Sequence, residues 1–260
     1  MTTLLPPARL LAPAKLTVSL QVTAVRPDGF HELEAEMVTV SLADELQVDE
    51  GGSGLVVDVE PGVRAGQLPG PGQNLVERAL AVCDRHASVR LTKRIPVGGG
   101  LGGGSADAAA VLRWAGCTDP GVAVRLGSDV PFCLVGGRAR VEGVGERVTP
   151  LPFEARAYLL LLPPFGVETA RVYRAWDADP RHDGTNVLTQ AALAVEPRLA
   201  RWRDALGELA GSEPTLAGSG STWFVEGGAE ASGAPGELRV GAETAQVVRA
   251  RTVPTGWEGD

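Results

Sequence analysis

Six of the seven residues from 98 to 104 are glycine, and a run of small residues follows at once: Pro96-Val97-Gly98-Gly99-Gly100-Leu101-Gly102-Gly103-Gly104-Ser105-Ala106-Asp107. Glycines this dense do not pack a core. They let the backbone take positive φ and let another molecule touch the main chain. Residues 88–97 predict a strand feeding the loop. Ser105 is the predicted N-cap of a helix that continues over residues 106–114. Free N–H groups running into a helix N-terminus make an anion site, most often for phosphate. The plain alternative is a flexible linker, but such linkers carry Ser and lack a helix capped immediately behind them.

The 260 residues suffice for two modest domains or one large one, and an apolar content of 44% supports a real core. The net charge of −8 argues against nucleic acid or an anionic membrane as partner. A phosphate site must therefore be a local positive feature. The three cysteines, Cys83, Cys117 and Cys133, show neither metal-ligand spacing nor an even-numbered disulfide framework, and so fit a reducing cytoplasm. The start, Met1-Thr2-Thr3-Leu4-Leu5-Pro6-Pro7, lacks the charge and apolar run of a signal peptide, and no apolar run approaches the ~20 residues of a membrane span. Lys15 and Lys93 are the only lysines among 24 basic residues. A Lys that persists in so Arg-rich a chain marks a place where a planar fork cannot replace a point charge, unless it persists by chance.

Leu16, Val18, Leu20 and Val22 alternate with polar residues from Lys15 to Thr23, which predicts a strand with Lys15 on its polar face. Arg26-Pro27-Asp28-Gly29 is a turn, and residues 31–42 return as a strand. Residues 55–59 are another strand, and 74–85 a helix with one apolar face. Residues 130–148 read as a hairpin turning at 143–145, with Asp129 at the start of an apolar strand. Pro150 and Pro152 suggest a boundary near residue 150, giving domains of 1–150 and 151–260. Beyond it come a buried strand over 157–162, a helix over 169–176, and one or two helices over 188–209 interrupted near Pro197. A small-residue turn at 218–221 leads into Trp223-Phe224-Val225, and a loose loop spans 227–236. Residues 241–252 fit either a final helix or a helix-to-strand passage. Without regular β-α-β alternation, the expected class is α+β.

The glycine run matches the dinucleotide fingerprint almost by default, but Asp119, near the required distance, sits in a turn. A P-loop needs Gly-Lys-Ser/Thr, and here Gly104-Ser105 has no Lys. The His-Arg-Asp segment of a protein kinase is missing as well. What remains is a glycine loop whose cation and acid lie elsewhere in sequence. Phosphoryl transfer needs a phosphate cradle, a positive charge, and a carboxylate for the acceptor hydroxyl. Lys15 is the candidate cation. Asp129, in Leu126-Gly127-Ser128-Asp129-Val130-Pro131-Phe132, is the candidate carboxylate, with capping or turn formation as its alternative role.

Together these segments resemble the GHMP kinases. Pro13-Ala14-Lys15-Leu16, the loop over 98–106, and Ala217-Gly218-Ser219-Gly220 match that superfamily's three signatures in order and spacing. The turn Arg26-Pro27-Asp28-Gly29-Phe30-His31-Glu32-Leu33, the segment around Asp129, and Pro163-Pro164-Phe165-Gly166-Val167-Glu168-Thr169-Ala170 narrow the resemblance to the 4-diphosphocytidyl-2-C-methyl-D-erythritol kinases of non-mevalonate isoprenoid synthesis. The resemblance implies a two-domain α+β fold, with an N-terminal domain like domain 2 of ribosomal protein S5 and a ferredoxin-like C-terminal domain. It implies ATP with magnesium as cofactors and a small-molecule acceptor, in a cytoplasmic monomer or weak homodimer. Lys15 and Asp129 become the catalytic pair. Gly98, Gly99, Gly100, Leu101, Gly102, Gly103, Gly104 and Ser105 would hold the ATP phosphates beside Pro96, with Asn74 and Leu75 near the adenine. Phe30, where the family usually has Tyr, would stack on the cytosine, with Tyr173 on its other side and His31 at its edge. From the residues alone, His31 reads as an ordinary exposed loop histidine. Thr17, Thr169, Gly218 and Ser219 complete the acceptor side. No cluster in the sequence identifies magnesium ligands.

Three departures from the family stand out. Its Lys-x-Asn becomes Lys15-Leu16-Thr17, its Asn-Asp-Leu becomes Asn186-Val187-Leu188, and the helix between Gly116 and Leu126 is short. Two other readings stay open: a GHMP kinase for another small alcohol, which would not need a base-stacking ring, and a non-catalytic binding protein of the same fold.

Overall fold

A computed structural model describes residues 7–64, 66, 70, 72–227 and 235–259. The start of the chain and most of the loop expected over 227–236 lie outside the described residues. Two sheets organise the rest, in the mixed α+β class expected. The first joins β1 (Ala8–Val25), β2 (His31–Asp49), β3 (Gly54–Val59), β4 (Ser88–Lys93), β5 (Arg138–Gly143) and β6 (Arg147–Pro150). Its order is β3-β4-β2-β5-β6, with β1 laid along β2, and only the β3–β4 pair is parallel. Helices α1 (Leu75–Val82), α2 (Gly103–Trp114), α3 (Pro120–Leu126) and α4 (Val130–Val135) belong to this half. Val76, Ala79, Leu80 and the alanine-rich α2 share a core with Leu46, Val48, Val89 and Leu91 of the sheet.

The second sheet runs β10 (Glu237–Val240), β11 (Glu243–Arg251), β7 (Ala157–Leu162), β9 (Trp223–Glu226), β8 (Thr215–Leu216), all antiparallel. Helices α5 (Thr169–Ala178), α6 (Thr189–Val195) and α7 (Leu199–Ala210) bury Val172, Trp176, Trp202 and Leu206 against it. The two sheets meet through a second apolar cluster, in which Ala14, Leu16, Val38 and Val40 pack with Tyr158, Leu160, Leu162 and Phe224. Backbone bridges Leu20↔Asn186 and Val40↔Thr252 lock that seam.

The long β1–β2 ladder shifts register between Pro13 and Lys15, between Thr17 and Ser19, and between Val22 and Ala24. Each shift exchanges the faces of the strand. Ala12, Leu20 and Val22 therefore join the helix-side core, while Ala14, Leu16 and Val18 between the first two shifts face the second sheet. This corrects the unbroken alternation read from the sequence. It also aims Lys15 and Thr17 at the helix side, where both are buried (5% and 1% exposed) rather than on a solvated face.

Three further expectations are corrected. The apolar run after Asp129 is a short helix, not a strand, with Pro131 in its first turn. The C-terminal segment is a β-hairpin, since Gln246–Arg251 pair with β7. The cap of α2 is Gly102, at φ +65°, so Ser105 lies inside the first turn.

Candidate active site

A cleft of about 390 Å³ opens where the glycine loop faces the middle of β1 and the turn between β8 and β9. Lys15, Thr17, Asn74, Leu75, Pro96, residues 98–105, Asp129, Thr169, Tyr173, Gly218 and Ser219 all line it. Of the residues singled out from sequence, only Phe30 and His31 do not.

The loop is shaped around Lys15. The Lys15 amide donates to the Leu101 carbonyl (3.1 Å). A Cβ at Gly102 would stand 2.7 Å from Lys15 Cγ, and one at Gly100 would stand 2.3 Å from the Ala217 carbonyl oxygen. Glycine is required at both places because the main chain passes directly over a side chain and over another loop. The cation that the loop lacks in its own sequence is thus delivered from β1.

Lys15 Nζ donates to Thr17 Oγ1 (3.1 Å) and stands 3.5 Å from Asp129 Oδ2. Asp129 precedes α4 without capping it, so its carboxylate stays available to the cleft, where it is about one-third exposed. Arg113 of α2 donates to the Cys133 carbonyl (2.6 Å) and ties α4 to the loop's own helix. The Cys133 thiol is pushed up to about 12 by burial and by the neighbouring Asp129 charge, so it is an inert neighbour.

The turn over 217–221 is fixed by Asn186, whose Nδ2 donates to the carbonyls of Leu216 (2.8 Å) and Gly218 (2.7 Å), while its Oδ1 accepts from Leu188 N–H (3.0 Å). Thr169 and Ser219 hydroxyls meet at 2.9 Å. Backbone bonds from Thr222 N–H to Gly99 and from Val167 N–H to Gly98 fasten both loops of the second sheet to the glycine run.

At the other end of the loop, Asn74 caps α1 by accepting from Val76 N–H (2.9 Å). Lys93, the second persistent lysine, ends β4 beneath the first turn of α2. Its Nζ donates to Asp44 and to Asp107 (2.7 Å for the latter), and all three are buried. Asp44 Oδ1 also accepts from the amides of Arg94 and Ile95 (2.5 and 2.8 Å). Asp107 Oδ1 has no hydrogen-bond partner. Burial, with the Asp44 charge behind it, raises the Asp107 carboxyl to about 7 against the pull of Lys93.

Tyr173 on α5 connects the cleft to His31. The two rings pack at a tilt of 35°, 4.6 Å between centroids, and Trp176 meets His31 edge-on at 5.8 Å. His31 is far from an ordinary exposed histidine: its side chain is 11% exposed and its Nε2 lies 2.7 Å from Asp177 Oδ1. That contact leaves Nδ1 as the free ring nitrogen. Phe30, at the mouth of the turn closed by Arg26 and Gly29, is 61% exposed.

Sequence reasoning missed Asp44, Asp107, Asp177 and the positioning role of Asn186. Only Lys93 carried a signal, its survival among arginines; the others come from distant segments and gain meaning from the fold.

Against known proteins, the family model described as GHMP kinases N terminal domain matches residues 74–137. A 4-diphosphocytidyl-2-C-methyl-D-erythritol kinase of Paracoccus denitrificans is 36% identical, over 95% of this chain and 93% of its own length. The chain belongs to that family of GHMP kinases. The kinase of the same name from Ruegeria pomeroyi is 35% identical over 82% of the chain, and that of Bacillus subtilis 33% over 82%. A crystal structure of 4-(cytidine 5'-diphospho)-2C-methyl-D-erythritol kinase superposes with a TM-score of 0.69 at 34% identity, covering 92% of this chain and 99% of its own. A mevalonate kinase, at 9% identity and a TM-score of 0.57, shares the fold.

The departures from the family's motifs have local reasons in this member of the GHMP kinases. Thr17, in place of the usual Asn, still accepts from Lys15 and keeps its ammonium beside Asp129. Val187 replaces an acid at a position 1% exposed, beside the seam where its amide donates to Leu20 (3.1 Å). An apolar side chain suits that burial better than a charge. The short α3 is properly capped, Asp119 accepting from Gly121 N–H (2.8 Å).

Proposed function

We propose that this protein transfers the γ-phosphoryl group of ATP to the 2-hydroxyl of 4-diphosphocytidyl-2-C-methyl-D-erythritol, a step of non-mevalonate isoprenoid synthesis. The observation that carries the reading is the meeting of Lys15 and Asp129 opposite the glycine loop, in a cleft walled by Tyr173, whose ring packs on His31 behind it. The loop and the N-terminus of α2 supply backbone N–H groups for the phosphates, beside Pro96 and with Asn74 and Leu75 toward the adenine. His31 Nδ1 reads the cytosine edge, and Phe30 and Tyr173 bracket the base. Thr17, Thr169, Gly218 and Ser219 lie where the methylerythritol end would reach.

In the reaction, the acceptor oxygen bonds to the γ-phosphorus, the β–γ bridging P–O bond breaks, and ADP leaves. The hydroxyl proton passes to Asp129, which also orients the hydroxyl. Lys15 keeps Asp129 ionised and offsets charge gathering on the transferred group. Asp129 and the Ser105 hydroxyl line the cleft and would offer magnesium hard oxygen ligands, since this ion binds through one or two carboxylates together with substrate phosphates. It would supply charge neutralisation there. We further divide the chain near residue 150 into a nucleotide-binding domain (1–150) and a C-terminal domain (151–260). Among the described residues no helix is long and apolar enough to cross a membrane, and the three free thiols suit a cytoplasmic enzyme.

The test is a substrate screen by ADP release with magnesium-ATP. The cytidylyl substrate is expected to be turned over in preference to galactose, homoserine and mevalonate. Asp129→Asn is expected to lose turnover by orders of magnitude while still binding ADP. Preference for another alcohol refutes the acceptor assignment. Nucleotide binding without turnover of any alcohol would mark a non-catalytic member.

A further inference from the structure

Arg64 follows β3 in a segment that runs on beside the chain leaving β4: Glu60 N–H donates to the Lys93 carbonyl (3.0 Å), and Val97 N–H donates to the Arg64 carbonyl (3.3 Å). Its guanidinium reaches the point where the glycine loop touches the loop between β7 and α5. A Cβ at Gly166 would lie 2.9 Å from Arg64 Nη1, and one at Gly98 would lie 3.9 Å from Nη2. Gly98 lines the cleft. Arg64 Nε and Nη2 are buried without a hydrogen-bond partner. Desolvation is the one influence on its ionisation, which it lowers, and no carboxylate opposes it. A guanidinium stays charged at any working pH, so leaving two of its donors dry and unpaired is costly. Elsewhere in this acidic chain, arginines 9, 94, 138, 156 and 198 are matched to carboxylates. An unmatched one packed against the first glycine of a phosphate cradle is a cation held for an anion from outside the chain.

We propose that Arg64 is a polyphosphate-binding residue, donating to a phosphate oxygen of ATP when the nucleotide occupies the glycine loop. The inference rests on the kinase reading above and adds a second cation to it, at the opposite end of the loop from Lys15. Diphosphate chemistry also occurs in the proposed acceptor. Arg64 is assigned to the nucleotide because its own backbone and guanidinium both meet the loop at residues 97 and 98, where the run begins.

The experiment compares Arg64→Met and Arg64→Lys with the wild type in three measurements: ADP binding by calorimetry without acceptor, the thermal midpoint with and without ADP, and KM for each substrate. Arg64→Met is expected to weaken ADP binding and raise the KM for ATP by about tenfold or more, a loss typical of a charge-assisted bond, with a smaller change in kcat. Arg64→Lys is expected to recover part of the loss. The ligand-free midpoint is expected to hold or rise, because the variant removes a buried unpaired charge, whereas a purely structural arginine would lower it. Unchanged ADP affinity and ATP KM overturn the proposal, and so does a rise confined to the acceptor KM, which would move Arg64 to the acceptor's diphosphate. Should the wild type bind ADP yet turn over no cytidylyl substrate, the acceptor assignment fails while the Arg64 comparison remains decisive through ADP binding.

Discussion

Gly102→Ala tests whether the glycine loop exists to position Lys15. The substitution carries two separable costs. Gly102 sits at φ +65°, a left-handed conformation that costs a residue bearing a Cβ about 1–2 kcal/mol. The added methyl would also stand 2.7 Å from Lys15 Cγ and 3.2 Å from Cε. Carbon atoms settle at roughly 3.5–4.0 Å, so the lysine stem must move by about 1 Å. Lys15 Nζ is held by Thr17 at 3.1 Å and faces Asp129 at 3.5 Å, and a shift of that size breaks the arrangement. Misplacement by about 1 Å costs on the order of 10²-fold in rate. Gly116→Ala is the control: its φ is +72°, yet a Cβ there meets nothing within 4 Å. Both variants are expected to lose stability through the shared backbone cost, lowering the thermal midpoint by about 2–8 °C for a chain of this size, with any further drop in Gly102→Ala coming from the clash. Only Gly102→Ala is expected to lose kcat, about a hundredfold by ADP release at saturating substrates. If both variants keep wild-type kcat, or if Gly116→Ala loses as much as Gly102→Ala, the close approach of loop to lysine does not govern catalysis.

Phe30→Ala is expected to raise the KM for the cytidylyl substrate while hardly moving the thermal midpoint, since Phe30 is 61% exposed. Stacking on a base is worth about 1–3 kcal/mol, or roughly 5- to 150-fold in KM; an unchanged KM would remove Phe30 from cytosine binding. Asp107→Asn is expected to change how stability depends on pH. The native carboxyl is raised from 3.8 to about 7 by burial, so between those values the folded state holds a proton that the unfolded state has released. Stability from this group is therefore greatest at low pH and falls as pH rises through that window. The wild-type-minus-variant difference, from denaturant unfolding at a series of pH values, should decline from about pH 4 to about pH 7. A flat or rising difference would mean that Lys93, bonded to both Asp107 and Asp44, holds Asp107 ionised throughout.

Legibility followed local signals rather than burial alone: β7 and α2 were read from the sequence although almost wholly buried, and α4 was not. Helix α1 announced itself by its apolar stripe. Helix α4 is six apolar residues with Val130, Pro131, Phe132 and Cys133 all buried, and a run of that kind has no period to read. Pro131 was the available clue, since proline favours the first helical turn and has no place within a central strand. β11 hid for the opposite reason: its residues alternate between buried and part-exposed, but small and charged residues blur the contrast in sequence. The bulges of β1 were invisible because a register shift is a property of the pair of strands. Yet they decide that Lys15 faces the cleft.

The site was legible as motifs and illegible as contacts. Asp177 lies 146 positions from His31, and Asp44 lies 49 from Lys93. No local pattern can announce such partners, because the chemistry of each pair exists only after the sheets have formed. Composition offered the one route around this limit. Both lysines that survive among the arginines prove to be buried point charges: Lys15 between Thr17 and Asp129, and Lys93 between Asp44 and Asp107. A guanidinium spreads its donors over a plane and needs a broad, flat complement, whereas an ammonium directs three donors from one atom into a narrow gap. In both places the gap is narrow because a glycine backbone forms one wall, with Gly102 against the stem of Lys15 and Gly103 against the Nζ of Lys93, where an added Cβ would stand 3.1 Å away. The two rarest features of the composition, dense glycine and scarce lysine, are therefore one feature. The loop gave up side chains so that two ammonium groups from other strands could stand against it.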